Sequence, residues 1–138
     1  MAHRSGAGCL AIWPGQEWFD YTFQVDHVAV WERCLASLRT IAEGVGDLRV
    51  AVEYKLKEPR QKSVFGTAAQ TLAAVHEIGR ANLGVLLDFG HSLMGKESPA
   101  QTAALLLRSR QRPEALTESL SRELYVLFCS LIPPFTSI

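Results

Sequence analysis

The sequence lacks an excess of charge of either sign, since 14 Lys and Arg residues balance 14 Asp and Glu residues in 138. Proteins that bind nucleic acid or an anionic membrane electrostatically carry a clustered basic excess. No stretch approaches the roughly 20 apolar residues of a membrane span, and residues 1–8 contain no apolar signal-peptide core. We therefore expect a cytoplasmic protein that binds neither nucleic acid nor a membrane.

Cysteine is also scarce, and its three positions show no CxxC spacing (Cys9, Cys34 and Cys129). This pattern argues against a disulfide framework and against a cysteine zinc site. With 48% hydrophobic and 20% charged residues, the chain has the composition of one soluble globular domain.

Apolar runs alternate with helical periodicity along most of the chain. A run such as LGVLLD, at 83–88, is typical of a parallel strand that is covered on both faces. The predicted elements are strands at 9–13, 48–54 and 83–88 and helices at about 28–44, 67–78 and 98–107. Alternation of this kind predicts right-handed βαβ units and a parallel sheet. In such folds the functional residues gather at the carboxyl ends of the strands.

Each predicted strand ends beside residues that could carry chemistry. Trp13 ends the first strand. Lys55 lies two residues after Glu53, and His91 lies three residues after Asp88 in a glycine-containing loop. A buried carboxylate needs a cation or a hydrogen-bond donor, and adjacent strands are only about 4.8 Å apart. Two such carboxylates could share a divalent ion, and oxygen and imidazole ligands suit Mn²⁺, Co²⁺ or Mg²⁺.

Each residue taken alone also has an ordinary structural explanation. Glu53 could be solvated or paired with a lysine, Asp88 could serve a turn, and Trp13 could be a core aromatic. Only their combination points to a site.

Three motifs in order resemble the xylose isomerase-like superfamily of sugar isomerases and epimerases. Residues 52–60 (VEYKLKEPR) are similar to the E-x-K-x-x-E-P-R signature of xylose isomerase and its rhamnose-isomerase-like relatives. Residues 88–91 (DFGH) resemble the next strand end of that superfamily, and residues 12–17 (IWPGQE) resemble its W-x-G-x-E segment.

The resemblance implies a partial (β/α)₈ TIM barrel, covering about strands four to six with their helices. This part would occupy residues 1–107. Residues 108–138 match no strand of the family, and our hypothesis is a divergent tail of frameshifted or alternative origin. A complete barrel needs roughly 250 residues, so 138 residues correspond to about half of one.

The resemblance also assigns roles to the strand-end residues. It implies that Glu53, Asp88 and His91 bind a divalent metal, and that Trp13, Lys55 and His91 contact a monosaccharide. Glu53 and Lys55 would be the catalytic residues. The parent enzyme is expected to be a homo-oligomer.

The chemistry implied first is aldose-ketose isomerisation, with metal ions and Lys55 stabilising negative charge on the sugar oxygens. Lys55 favours this activity over that of the related ketose 3-epimerases, in which Glu53 would act as the base.

The remaining family residues are missing, because the sequence contains no histidine and no aspartate after His91. We therefore expect an incomplete site with little or no isomerase activity. Two alternatives are a non-catalytic α/β domain that pairs with another chain and a flavodoxin-like ligand binder, although no glycine-rich phosphate loop follows the first strand.

Overall fold

A computed structural model describes residues 6–15, 21–58, 61–109 and 125–127 of the chain. Strands and helices alternate along it, as the sequence predicts. The strands are β1 (Cys9–Ile12), β2 (Arg49–Glu53), β3 (Leu83–Asp88) and β4 (Tyr125–Leu127). The helices are α1 (His27–Gly44), α2 (Ala68–Ile78), α3 (Phe89–Met94) and α4 (Pro99–Ser109), with a 3-10 turn at Thr22–Gln24. In these ranges no helix is both long and apolar enough to cross a membrane.

Local capping determines where the helices begin and end. The Asp26 carboxylate accepts hydrogen bonds from the first turn of α1, and the Thr67 hydroxyl accepts one from the Gln70 N–H at 3.2 Å. Helix α2 ends at Gly79, which has a φ of +69°, a left-handed conformation that glycine adopts without a steric penalty. The predicted start of α2 is thus confirmed.

The sheet is parallel throughout the described strands, in the order β1-β2-β3-β4. Each strand is therefore the neighbour of the next one in the sequence. Right-handed crossovers in such an order place every connecting helix on the same face of the sheet. This is the winding of a (β/α)₈ barrel, whereas a flavodoxin-like sheet places its first strand between the second and the third. The flavodoxin-like alternative is therefore wrong, and the described sheet is compatible with part of a barrel.

The hydrophobic core lies between one face of the sheet and the helices. The sheet contributes alternate residues of β2 and β3, such as Val52 and Leu87, both fully buried. Leu38 of α1, Val75 of α2 and Leu106 of α4 pack against them. Because side chains alternate along a strand, the residues between the core positions point to the opposite face.

Asn82 ties the end of α1 to the start of β2 and was not anticipated from the sequence. Its side-chain amide donates to the carbonyl groups of Ala42, Gly46 and Leu48, over 2.8 to 3.1 Å. These hydrogen bonds satisfy the Ala42 carbonyl, which the end of the helix leaves without an intrahelical partner, and two carbonyl groups of the turn that leads to β2.

Two details differ from the sequence-based prediction. His91 lies in the six-residue helix α3 and not in a loop, because the Asp88 carboxylate caps a helix that starts directly after β3. The three- to four-residue apolar periodicity that starts at Val28 predicts a buried position for this residue, but its side chain is 68% exposed. Most of the predicted tail lies outside the described residues, but Tyr125–Leu127 forms a strand beside β3.

Candidate metal centre at the strand ends

The strand register brings Glu53 and Asp88 to the same edge and the same face of the sheet. Glu53 pairs with Leu86, so Asp88 lies two residues further along the neighbouring strand. Leu86 and Asp88 therefore point to the same side as Glu53, away from the helices. The sequence analysis placed the two carboxylates at matching positions of neighbouring strands. In the structure Asp88 lies two residues beyond the partner of Glu53, but the two carboxylates are still close together.

His91 completes this group because helix α3 starts immediately after Asp88. The Asp88 Oδ1 atom accepts a hydrogen bond from the His91 N–H at 2.8 Å. This turn places His91 Nδ1 at 3.0 Å from Glu53 Oε1 and at 4.0 Å from Asp88 Oδ1. The ligand atoms of the three residues lie within 4.8 Å of one another. The three residues that the sequence predicts as metal ligands are thus brought together.

The chemistry of this group fits a divalent cation. The Nδ1 atom of His91 is buried, and its contact with Glu53 lacks the geometry of a hydrogen bond. No other described residue satisfies this atom. The side chains are 6% to 24% exposed, and oxygen atoms that face one another in such a partly dry site need a positive partner. Two carboxylates and one imidazole suit Mn²⁺ or Co²⁺, and Mg²⁺ is compatible with the oxygen atoms.

Gly90 leaves room for the Asp88 carboxylate. A Cβ atom at this position would lie 3.1 Å from Asp88 Oδ1, which is closer than ordinary van der Waals contact. A glycine is therefore favoured at this position of the DFGH motif because a side chain would crowd the Asp88 carboxylate, and not because the backbone φ is positive.

We expect Gly90→Ala to separate metal affinity from stability. Alanine favours a helix over glycine by roughly 1 kcal/mol, which should offset the cost of about 1 kcal/mol of a disturbed Asp88 cap, so the melting temperature should change little. The added methyl group should displace the Asp88 carboxylate and weaken Mn²⁺ binding severalfold. Calorimetric titration and thermal unfolding of the same variant measure both effects. Gly44→Ala is the matched control, since a Cβ atom there meets nothing within 4 Å; equal Mn²⁺ affinity in both variants would contradict the prediction.

Trp13 and Lys55, two of the three predicted sugar contacts, lie against each other just beyond the ends of β1 and β2. The Lys55 Nζ atom is 5.3 Å from the centroid of the Trp13 ring, a favourable cation-π distance. The Lys55 ammonium also pairs with the Glu58 carboxylate. Trp13 is 41% exposed, so its interpretation as a core aromatic is wrong. Glu17, which belongs to the same sequence motif, lies outside the described residues.

A second polar cluster lies behind the sheet and was missed in the sequence. The fully buried Tyr54 has its phenol group near the side chains of Ser92, Glu97 and Thr102. Burial is the main cause that raises the pKa of Tyr54 to about 12, so the phenol keeps its proton at neutral pH. The sequence offers a weak signal for this cluster, because Tyr54 directly follows Glu53 and Ser92 directly follows His91.

Comparison with known proteins gives a distant similarity to a sugar epimerase. The chain is 27% identical over 96 residues to the D-psicose 3-epimerase of Agrobacterium fabrum (strain C58 / ATCC 33970), a match that covers 70% of this chain. The chain spans about a third of that relative, since the match covers 32% of its length. No protein-family model matches the chain. The similarity agrees with a sugar isomerase or epimerase origin, and it favours the epimerase at least as much as the isomerase.

Proposed function

We propose that this chain forms part of a divalent-metal-dependent enzyme that isomerises or epimerises a monosaccharide. The observation that carries the proposal is the convergence of Glu53, Asp88 and His91 at the carboxyl ends of two adjacent parallel strands. Functional residues of parallel α/β folds gather at these ends. The distant similarity to a sugar epimerase supports the same class.

The proposed chemistry assigns a separate task to each side chain. A bound divalent metal would supply Lewis-acid polarisation of adjacent sugar oxygens. Glu53, Asp88 and His91 would hold it, and the carboxylate of Glu53 would also accept a proton from the carbon beside the sugar carbonyl. Trp13 would cover the apolar face of the sugar, and Lys55 would stabilise negative charge on a sugar oxygen.

Between the two finer activities, ketose 3-epimerisation is our first choice. The relative named above is a 3-epimerase, and the pairing of Lys55 with Glu58 reduces the positive charge that Lys55 could offer to a developing alkoxide. Aldose-ketose isomerisation is the second candidate, because Lys55 stands two residues after Glu53 as in the isomerase signature. Inversion at carbon 3 also needs a second acid-base group besides Glu53, because the proton must return to the opposite face of the carbon.

Paramagnetic broadening of sugar NMR signals by Mn²⁺ tests this proposal without requiring turnover. With the full chain and Mn²⁺, we expect signals of carbons 2 and 3 of D-psicose to broaden more than with free Mn²⁺. Glu53→Gln should remove the excess broadening, while Glu43→Gln, a substitution at an exposed carboxylate near Arg80, should retain it. Broadening confined to carbons 1 and 2 of an aldose would favour the isomerase. No excess broadening with any monosaccharide would contradict a sugar-binding metal centre.

The chain by itself is expected to turn over little or no sugar. Three ligands on one side leave a metal weakly held, and sugar enzymes of this class complete the site from further strands. Aldose-to-ketose or epimerase turnover by the 138-residue protein with added Mn²⁺ would contradict this expectation. The alternative, a non-catalytic domain that pairs with another chain, also predicts no turnover, and a defined dimer in size-exclusion chromatography would support it.

A further inference from the structure

Helix α3 carries His91 but has little apolar packing to hold it in place. Its buried residue is Ser92, which is fully inaccessible, whereas Leu93 and Met94 are 65% and 45% exposed. Phe89 packs partly against the core at the start of the helix. Besides the Asp88 cap and the partial packing of Phe89, the Ser92 side chain is therefore the buried contact through which α3 can be held in place.

Ser92 meets the buried polar cluster behind the sheet. Its hydroxyl lies near the phenol of Tyr54, whose side chain points to the helical face while that of Glu53 points to the other. One contact thus joins the residue after Glu53 to the residue after His91. Glu53 and His91 are the two side chains whose atoms approach to 3.0 Å on the opposite side.

Glu97 connects this contact to two further helices. Its Oε1 atom accepts from the Ala68 N–H at the start of α2 at 3.2 Å, and its own N–H donates to the Ser92 carbonyl at 2.9 Å. Thr102 of α4, which is 6% exposed, lies near the same phenol. The cluster therefore links β2, α2, α3 and α4 at one point.

Three buried polar atoms of this cluster have no hydrogen-bond partner of ordinary distance and angle among the described residues. The Tyr54 and Ser92 hydroxyl groups and Glu97 Oε2 are buried without such a partner among the described residues. Buried groups of this kind are satisfied by neighbours or by a bound water, and a partly satisfied network is sensitive to the loss of one member.

We infer that Tyr54, Ser92 and Glu97 are positioning residues that hold helix α3 against the end of β2 and so fix the His91 imidazole relative to the Glu53 carboxylate. The relevance of this arrangement to metal binding rests on the function proposed above. The contacts among these residues are present without a bound metal, so they can be tested in the metal-free protein. Removal of one hydroxyl group should therefore disturb His91, although neither Tyr54 nor Ser92 is a predicted ligand.

The test uses the metal-free full chain with histidine labelled with ¹³C, and it follows the ring signal of His91. A His91→Gln variant identifies that signal among those of the four histidines. In Tyr54→Phe, and independently in Ser92→Ala, we expect the His91 signal to shift and to broaden. Thr71→Val is the matched control, because it removes another fully buried hydroxyl, which donates to the Thr67 carbonyl at 2.9 Å. It should lower the melting temperature without moving the His91 signal.

Titration of the same variants with Mn²⁺ separates this inference from the proposed function. Loss of a group that orients a metal ligand typically weakens metal binding about 10- to 100-fold, and we expect this loss in Tyr54→Phe but not in Thr71→Val. If the wild type binds no Mn²⁺ and the His91 signal still moves in Tyr54→Phe, the proposed function fails and the positioning role stands. An unchanged His91 signal in both Tyr54→Phe and Ser92→Ala would overturn the inference, whatever the metal affinity. Ser92→Ala keeps the test decisive if Tyr54→Phe does not fold.

Discussion

Replacing Glu53 with glutamine should abolish the stabilisation of this protein by Mn²⁺. The substitution keeps the size of the side chain and removes the negative charge nearest to His91 Nδ1. A ligand that binds the folded state at 100 times its dissociation constant stabilises that state by about 2.7 kcal/mol. Saturating Mn²⁺ should therefore raise the melting temperature of the wild type by several degrees. In Glu53→Gln, binding about a hundredfold weaker would leave only about 0.4 kcal/mol of this stabilisation, and the melting temperature should show almost no increase.

The matched control for this experiment is Glu43→Gln. Glu43 is a half-exposed carboxylate on α1, 3.9 Å from Arg80, and takes no part in the candidate centre. Exposed pairs of this kind contribute only about 0 to 1 kcal/mol, so this variant should retain the full response to Mn²⁺. A similar response in Glu53→Gln and in the wild type would exclude Glu53 as a ligand.

Replacing Leu87 with alanine should cause the largest loss of stability. Leu87 is fully buried on the central strand β3 and belongs to the core between the sheet and the helices. Truncation of a buried leucine to alanine lowers the free energy of unfolding by about 2 to 5 kcal/mol, because apolar contacts are lost and a cavity remains. Urea denaturation followed by circular dichroism measures this change.

Leu93→Ala provides the control for the core substitution. Leu93 is 65% exposed on α3, and substitutions at such positions usually change stability by less than about 0.5 kcal/mol. If Leu87→Ala unfolded at the same urea concentration as Leu93→Ala, this would contradict the placement of Leu87 in a core between the helices and this face of the sheet.

The alternation of elements could be predicted from the sequence because each element carries a strong local signal. Residues 83–87 form an unbroken apolar run, and Thr67 with Gln70 marks the start of α2 by capping chemistry that the structure confirms. Helix α3 could not be predicted in this way. Its six residues are fewer than two helical turns, so they show no periodicity, and its cap is Asp88, a residue that also ends β3.

The candidate metal ligands could be predicted because they end their strands, and strand ends of a parallel sheet share one edge. Glu53, Asp88 and His91 were found in this way and lie together. The cluster around Tyr54 could not be found, because Ser92, Glu97 and Thr102 approach Tyr54 only through the tertiary packing of α3 and α4. In the sequence these three residues have no spacing or motif that distinguishes them from ordinary helix and loop residues.

The most direct test of this account is calorimetric titration of the wild type with Mn²⁺ beside Asp88→Asn. Asp88 is 4% exposed, and its carboxylate both caps α3 and faces Glu53 and His91. We predict saturable binding of one Mn²⁺ per wild-type chain and at least a tenfold loss of affinity in Asp88→Asn. Heats that are equal in the two proteins, or the absence of saturable binding in the wild type, would contradict a metal centre at these strand ends.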